Sequence, residues 1–401
     1  MTATDQFSAH QQIIADLNGF TEFRELRQAA AYQKHEKTLH KLFHSPHIYQ
    51  ATATAPRLRD FLRVVVWNIE RGTQLQGIIE ALNHHPILRW ADLLLLNELD
   101  IGMIRSGNRN VPQELSQALS AHVIYGAEYL EFTKGTGDEV NLPGDNQAAL
   151  HGNAILTRYP FSDPQIVRLP RCENNFESAE KRLGERLAIL VTIEIGNLHL
   201  LAVTAHLDVV NTPRCRAKQL RGVLEAIAKR QSNISQKVLL GGDFNTHTFA
   251  RGTQFRALKS VVRIFGTSRE RLARSLMQRE PAIVELVKAG FDIDNFNDNQ
   301  PTSSSLVSAL DDKSSLPAPV RWWAMRRVGP EGLRLEFRLD WLAARGLRAL
   351  KAGEAIDKST GIESVNPQTI KGLTMDDTPL SDHDPIVVDV KIKQINEEAH
   401  Q

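Results

Sequence analysis

Val238-Leu239-Leu240-Gly241-Gly242-Asp243-Phe244-Asn245 is a short apolar run that passes through two glycines into a carboxylate and a carboxamide. Its apolar part has the length of a buried strand. The same arrangement recurs along the chain. Val64-Val65-Val66-Trp67 ends in Asn68-Ile69-Glu70, and the run 93–96 ends in Asn97-Glu98. The run 200–204 leads to His206, Leu339 precedes Asp340, and Ser381-Asp382-His383-Asp384 comes just before the last run. Strand-like runs lie at 63–67, 92–96, 153–156, 188–195, 199–204, 237–240, 339–343 and 385–390, with helical stretches such as 75–82 and 214–229 between some of them. This mixture predicts a layered α/β architecture. In such folds, sites form outside strand ends, where loops converge. Six polar endings brought together would make a pocket rich in carboxylate and amide oxygens, the hard donors that suit Mg²⁺ better than zinc.

The bulk numbers set bounds. Hydrophobic residues make up 42% and charged residues 24%, so the composition allows a large core and the chain reads as globular. The net charge of +1 gives no global field for polyanions or acidic membranes. Two cysteines, Cys172 and Cys215, imply neither a disulfide framework nor a metal knuckle, and point to a reducing, cytoplasmic compartment. No secretory leader and no transmembrane run is expected. Residues 1–60 read as a helical N-terminal extension, with Ile13, Ile14, Leu17, Phe23 and Leu26 at helical spacing. Residues 251–290 read as helical and basic, with nine Arg or Lys against three acids, and 298–320 as a polar loop.

Singly, each motif is weak: an Asn after a strand is usually a turn former, and a lone histidine is usually a satisfied one. In order they resemble a family. Trp67-Asn68-Ile69, Asn97-Glu98, Gly152-Asn153-Ala154-Ile155-Leu156-Thr157-Arg158-Tyr159-Pro160, Thr204-Ala205-His206-Leu207-Asp208, Gly242-Asp243-Phe244-Asn245, Arg338-Leu339-Asp340-Trp341 and Ser381-Asp382-His383 are similar to the successive motifs of the endonuclease/exonuclease/phosphatase superfamily, the deoxyribonuclease-I-like phosphoesterases. Arg216 and Gln219 fit its arginine-x-x-glutamine pattern. The resemblance implies a four-layer α/β sandwich: two packed mixed β-sheets flanked by helices, over a catalytic domain at 61–392. A basic helical and loop insertion at about 251–335 interrupts that domain, and 393–401 is a tail.

The resemblance also implies roles. Glu98 is the main carboxylate on a catalytic Mg²⁺ (Mn²⁺ as substitute), with Asn68 nearby and Asp382 helping. Asp243 and Asn245 orient the attacking water and hold a phosphoryl oxygen. His206 contacts the phosphate, and His383 sits opposite, bonded to Asp340. Asn153 and Arg216 are candidate substrate contacts. Such chemistry needs charge neutralisation and positioning more than covalent help.

Three departures bear on substrate. About a hundred residues separate Asp243 from Asp340, Trp341 replaces a tyrosine, and Thr204-Ala205-His206 replaces asparagine-threonine-histidine. Arg321-Trp322-Trp323-Ala324-Met325-Arg326-Arg327 combines indoles with arginines. It reads as a nucleic-acid contact, as a peripheral membrane contact through Trp322 and Trp323, or as packing beneath the insertion. Nucleic acid, phospholipid and small phosphorylated metabolites all stay open as substrates. A catalytically silent binding module on the same fold is the alternative.

Overall fold

Along the strand at 61–68 the side chains alternate, and both faces are buried. Val64 and Val66 enter one apolar cluster, while Val65 and Trp67 enter another. A strand buried on both faces must lie in a sheet that is covered twice. The computed structural model describes residues 3–52, 54–172, 174–209, 212–231, 237–246, 280–306 and 334–392. Its N-terminal part holds α1 (Ala3–Leu17), α2 (Phe23–Gln28), α3 (Ala30–His44) and β1 (His47–Tyr49). Next come β2 (Phe61–Asn68), α4 (Leu75–His84), β3 (Leu93–Ile101), α5 (Val111–Leu119), β4 (His122–Glu131), β5 (Leu150–Thr157) and β6 (Phe161–Arg168). Then follow β7 (Arg182–Gly184), β8 (Leu187–Ile195), β9 (Leu198–Ala205), α6 (Pro213–Gln231), β10 (Val238–Asp243) and α7 (Pro281–Lys288). The chain continues through β11 (Ser303–Leu306), β12 (Arg334–Phe337), β13 (Asp340–Arg345), β14 (Gln368–Thr369), β15 (Thr374–Met375), β16 (Thr378–Pro379) and β17 (Ile386–Lys391).

One sheet runs β1-β4-β5-β3-β2-β17-β14, with β7 added on β4; the other runs β13-β10-β9-β8-β6. Each holds one parallel pair, β2 with β3 and β9 with β10, among antiparallel ones. The sheets face each other across Val64, Val66, Leu93, Leu95 and Ile155 on one side and Ile189, Val191, Leu200, Leu239 and Leu342 on the other. Leu75, Ile78, Leu82 and Leu115 of α4 and α5 cover the first sheet, and Leu220, Val223, Ile227, Ile283 and Leu286 of α6 and α7 cover the second. This is the four-layer sandwich. The N-terminal extension is present: Ile13, Leu17, Leu26, Leu39, Leu42 and Phe43 join the outer core of the first sheet. It also contributes β1, which pairs with β4.

Two expectations need correction. Residues 303–306, read as loop, form β11, because Arg334–Phe337 supplies an antiparallel partner for their backbone groups. The two cysteines are paired: Cys172 and Cys215 form a disulfide with Cα atoms 6.1 Å apart across 43 residues of sequence. The fold brings the exit of β6 against the first turn of α6, a proximity that spacing does not reveal. The basic segment 251–279, the loop 307–320 and Arg321–Arg327 with Trp322 and Trp323 lie outside the described residues. Among the described residues no helix is long and apolar enough to cross a membrane.

Arg63 on β2 pairs with Asp389 on β17 through two bonds of 2.7 Å, both side chains buried, and Asp389 also accepts from the Val365 N–H. Removing one partner leaves a buried charge. Asp389→Ala is expected to lower stability by about 3–5 kcal/mol, read as a lower urea midpoint; an unchanged midpoint would show that the pair contributes nothing. For the cysteines, a thiol reagent applied to the denatured, unreduced protein should find no free thiol, and two after reduction. Two thiols from the start would contradict the pairing.

Candidate active site

The ends of the two sheets meet at Asn97. Its Oδ1 accepts the Asp243 N–H at 2.7 Å, and its Nδ2 donates to Asn153 Oδ1 at 3.0 Å. Immediately after it, the ladder of β3 with β5 slips between Leu96 and Leu99, and Glu98 takes φ +57°. Such a bulge re-aims a side chain out of the pleat. Asn68, at the end of β2, donates from Nδ2 to Glu98 Oε1 and to Asp243 Oδ2, both at 3.1 Å. Beyond β10, Asn245 has φ +48°; its N–H donates to Asp243 Oδ1 at 2.9 Å and its side chain to the Leu207 carbonyl at 2.9 Å. A Cβ on Gly242, where φ is +141°, would collide with the Ala205 carbonyl oxygen, so only glycine lets β10 come this close to β9.

Two histidines flank Asp243 Oδ2. His206 Nε2 lies 3.5 Å from it and 3.9 Å from Glu98 Oε1. His383 Nε2 lies 3.9 Å from it, and His383 Nδ1 is 2.6 Å from Asp340 Oδ2. Their environments differ. Burial, and then the neighbouring Arg186 cation, holds the His206 pKa well below its usual value. For His383, burial acts in the same direction but is outweighed by Asp340, Asp382 and Asp243, and the pKa is well above the usual one. Burial and the nearby Asp340 push Asp243 up to about 7. Asp340 is placed by Thr302, whose Oγ1 accepts the N–H groups of Leu339 and Asp340, each at 3.0 Å. Ser303 forms an isolated bridge with His383, so one short segment aligns both members of the pair.

Asn68, Glu98, His206, Asp243, Asn245, Asp340 and His383 therefore converge, with Asp382 at the rim: its side chain is 57% exposed and lies 4.0 Å from His383 Nε2. The two substrate contacts expected from sequence do not sit in the same way. Asn153 is fully buried behind Glu98, where its amide bridges Asn97 and Glu128. Arg216 is buried against Glu280 at 3.1 Å. Both read as braces: the Asn153 amide has both ends engaged, and the Arg216 Nε is held by Glu280. The unusual Trp341 acts structurally. Its indole N–H donates at 2.8 Å to Thr246, which donates to the Arg338 carbonyl and so fixes the exit after Asn245.

Sequence reading gives no role to Glu70, Glu128, Arg186 or Thr302. Glu70 carries a signal, two positions beyond Asn68; its Oε2 accepts the Asp382 N–H at 3.0 Å, and its own N–H donates to Asn68 Oδ1 at 3.1 Å. Burial, then Asp382, pushes its pKa up to about 7, with Glu98 adding to the same effect. Glu128, Arg186 and Thr302 belong to no motif and become visible only in three dimensions. Glu70, Glu98 and Asp243 gather at Asn68 with Asp382 beyond Glu70, a set of hard oxygen donors whose negative charge Arg71 and His383 only partly offset. The donor set fits a divalent cation: Glu98 and Asp243, both at 3.1 Å from the Asn68 amide nitrogen, offer hard carboxylate oxygens close together.

The family model described as Endonuclease/Exonuclease/phosphatase family matches residues 65–305, more than half of the chain. No curated protein matches. Among solved structures, the chain is similar to the human Nocturnin catalytic domain with bound sulfate, at 14% identity over 86% of this chain and 97% of that one, with a TM-score of 0.42. It is similar to D. rerio TDP2 complexed with single strand DNA product, at 17% identity over 83% and 99%, TM-score 0.43. A Bacteroides thetaiotaomicron mannosyl-6-phosphatase gives 12% identity over 82% and 99%, TM-score 0.44. With the sequence match, the layered architecture and the ordered strand-end residues together, the chain belongs to the endonuclease/exonuclease/phosphatase family.

Proposed function

We propose that this protein is a hydrolase of phosphoester bonds, phosphodiesters foremost, working with Mg²⁺ and accepting Mn²⁺ in its place. The observation that carries the reading is the meeting of Glu98, Asp243 and two histidines, one set against a guanidinium and the other against a carboxylate, at the joined ends of the two sheets. Glu98, with Asn68, Glu70 and Asp382 around it, would hold the metal; the ion, when bound, polarises a phosphoryl oxygen and stabilises the leaving oxygen. The chain's own groups do the rest. His383, kept protonated by Asp340, presents Nε2–H to an anionic oxygen of the substrate. Asp243, with its raised pKa, is placed to accept a proton from the attacking water. Asn245 is held beside it by its bonds to Asp243 and Leu207, where it orients the same water or a phosphoryl oxygen.

The test is hydrolysis of a panel with Mg²⁺, with and without chelator: supercoiled plasmid, single-stranded RNA, sphingomyelin vesicles, inositol phosphates and a chromogenic phosphodiester. Turnover of one class should vanish with chelator. It should fall by about 10²–10⁴-fold in His383→Ala while the melting temperature is held. Glu98→Gln should raise the Mg²⁺ concentration needed for half-maximal rate. Turnover indifferent to chelator and to both substitutions would sink the reading.

A further inference from the structure

A guanidinium carries only donors. Nη1 of the buried Arg186 lies 2.7 Å from His206 Nδ1 and 2.7 Å from Glu128 Oε2. Nδ1 must therefore be the acceptor, since a proton there would point at the arginine's own. Turning the ring over would place a C–H against Nη1 and offer no acceptor, so the same contact fixes the ring orientation. The proton of the neutral imidazole is left on Nε2. That atom is buried, has no hydrogen-bond partner among the described residues, and points between Asp243 and Glu98.

We propose that Arg186 is a positioning residue: by donating to Nδ1 it locks His206 as the Nε2–H tautomer, a neutral donor aimed at a phosphoryl oxygen. The last step rests on the phosphoesterase reading of the cleft; the tautomer does not. Glu128 holds the arginine in place and is itself held, its Oε1 accepting from Asn153 Nδ2 at 2.8 Å and from the Leu187 N–H at 3.4 Å. Glu128 Oε2 is also only 3.6 Å from His206 Nδ1. Without the arginine between them, this carboxylate is the nearest acceptor and would draw the proton to Nδ1. The donor would then face away from the substrate. The two histidines thus act as different donors, one a cation made by Asp340 and the other a neutral ring set by a cation.

The test is long-range ¹H–¹⁵N correlation on metal-free protein labelled at histidine, at neutral pH, with a His206→Asn variant to assign the signal among the 14 histidines. The native protein should show a bare Nδ1 and a protonated Nε2 at His206. Arg186→Met should move the proton to Nδ1, and Arg186→Lys, which keeps a cationic donor, should retain the native pattern. In turnover, Arg186→Met should lose about 10²–10⁴-fold in kcat with little change in KM, and Arg186→Lys should recover part of it. A protonated Nδ1 in the native protein would overturn the proposal, as would an unchanged pattern in Arg186→Met. The native spectrum judges the tautomer even if a variant fails to fold. It does so too if no phosphoester is hydrolysed, so failure of the functional reading is separable from failure of this one.

Discussion

The carboxamide of Asn97 joins the ends of the two sheets, and the site depends on that junction. It is fully buried, it accepts from the backbone of Asp243 in the second sheet, and it donates to Asn153 in the first. A buried carboxamide with both ends engaged is held in one orientation, because leaving either unpaired costs on the order of 1–3 kcal/mol. Glu98 and Asp243 come from different sheets, yet they are placed within reach of the same Asn68 amide nitrogen. The bulge at Glu98 and the glycine at 242 are local deformations that bring the strand ends to this junction.

Electrostatics then separates residues of one chemical type. His206 and His383 stand on either side of one carboxylate, but Arg186 faces one and Asp340 the other. Each partner is itself fixed: Arg186 by Glu128, and Asp340 by Thr302. The carboxylates are differentiated in the same manner, Glu70 and Asp243 being pushed up by burial and by neighbouring acids. A site of this kind stores unfavourable desolvation and like-charge contact, and the packed sheets around it hold it together.

Much of the site is legible in the chain itself. Apolar runs of strand length recur with polar residues at their ends, which locates Asn68, Glu98, His206, Asp243 and Asn245 after their runs, and Asp340 and His383 at or just before the starts of theirs, from sequence alone. That pattern survives in sequence because a strand buried on both faces is apolar except where a buried partner answers a polar group, as Asp389 answers Arg63, so polar residues without such a partner gather at its ends. The strands β4 and β6 are not legible in the same way, since His122–Glu131 and Phe161–Arg168 mix polar and apolar residues and depend on their neighbours for burial. Asn153 reads as a substrate contact because it sits in a family motif; its neighbours in space make it a brace.

By itself the sequence determined the layered architecture, the family and the order of the catalytic candidates, because periodicity and strand-end chemistry are local properties of the chain. Only the tertiary structure decided which groups touch. The pairing of Cys172 with Cys215, the placing of Arg186 between Glu128 and His206, and the part of Thr302 in setting Asp340 all join residues far apart in sequence. Their proximity follows from how the sheets stack and where each strand exits. Protonation was decided at the same level: a histidine's charge depends on whether a guanidinium or a carboxylate lies against it, and no local stretch of sequence records that.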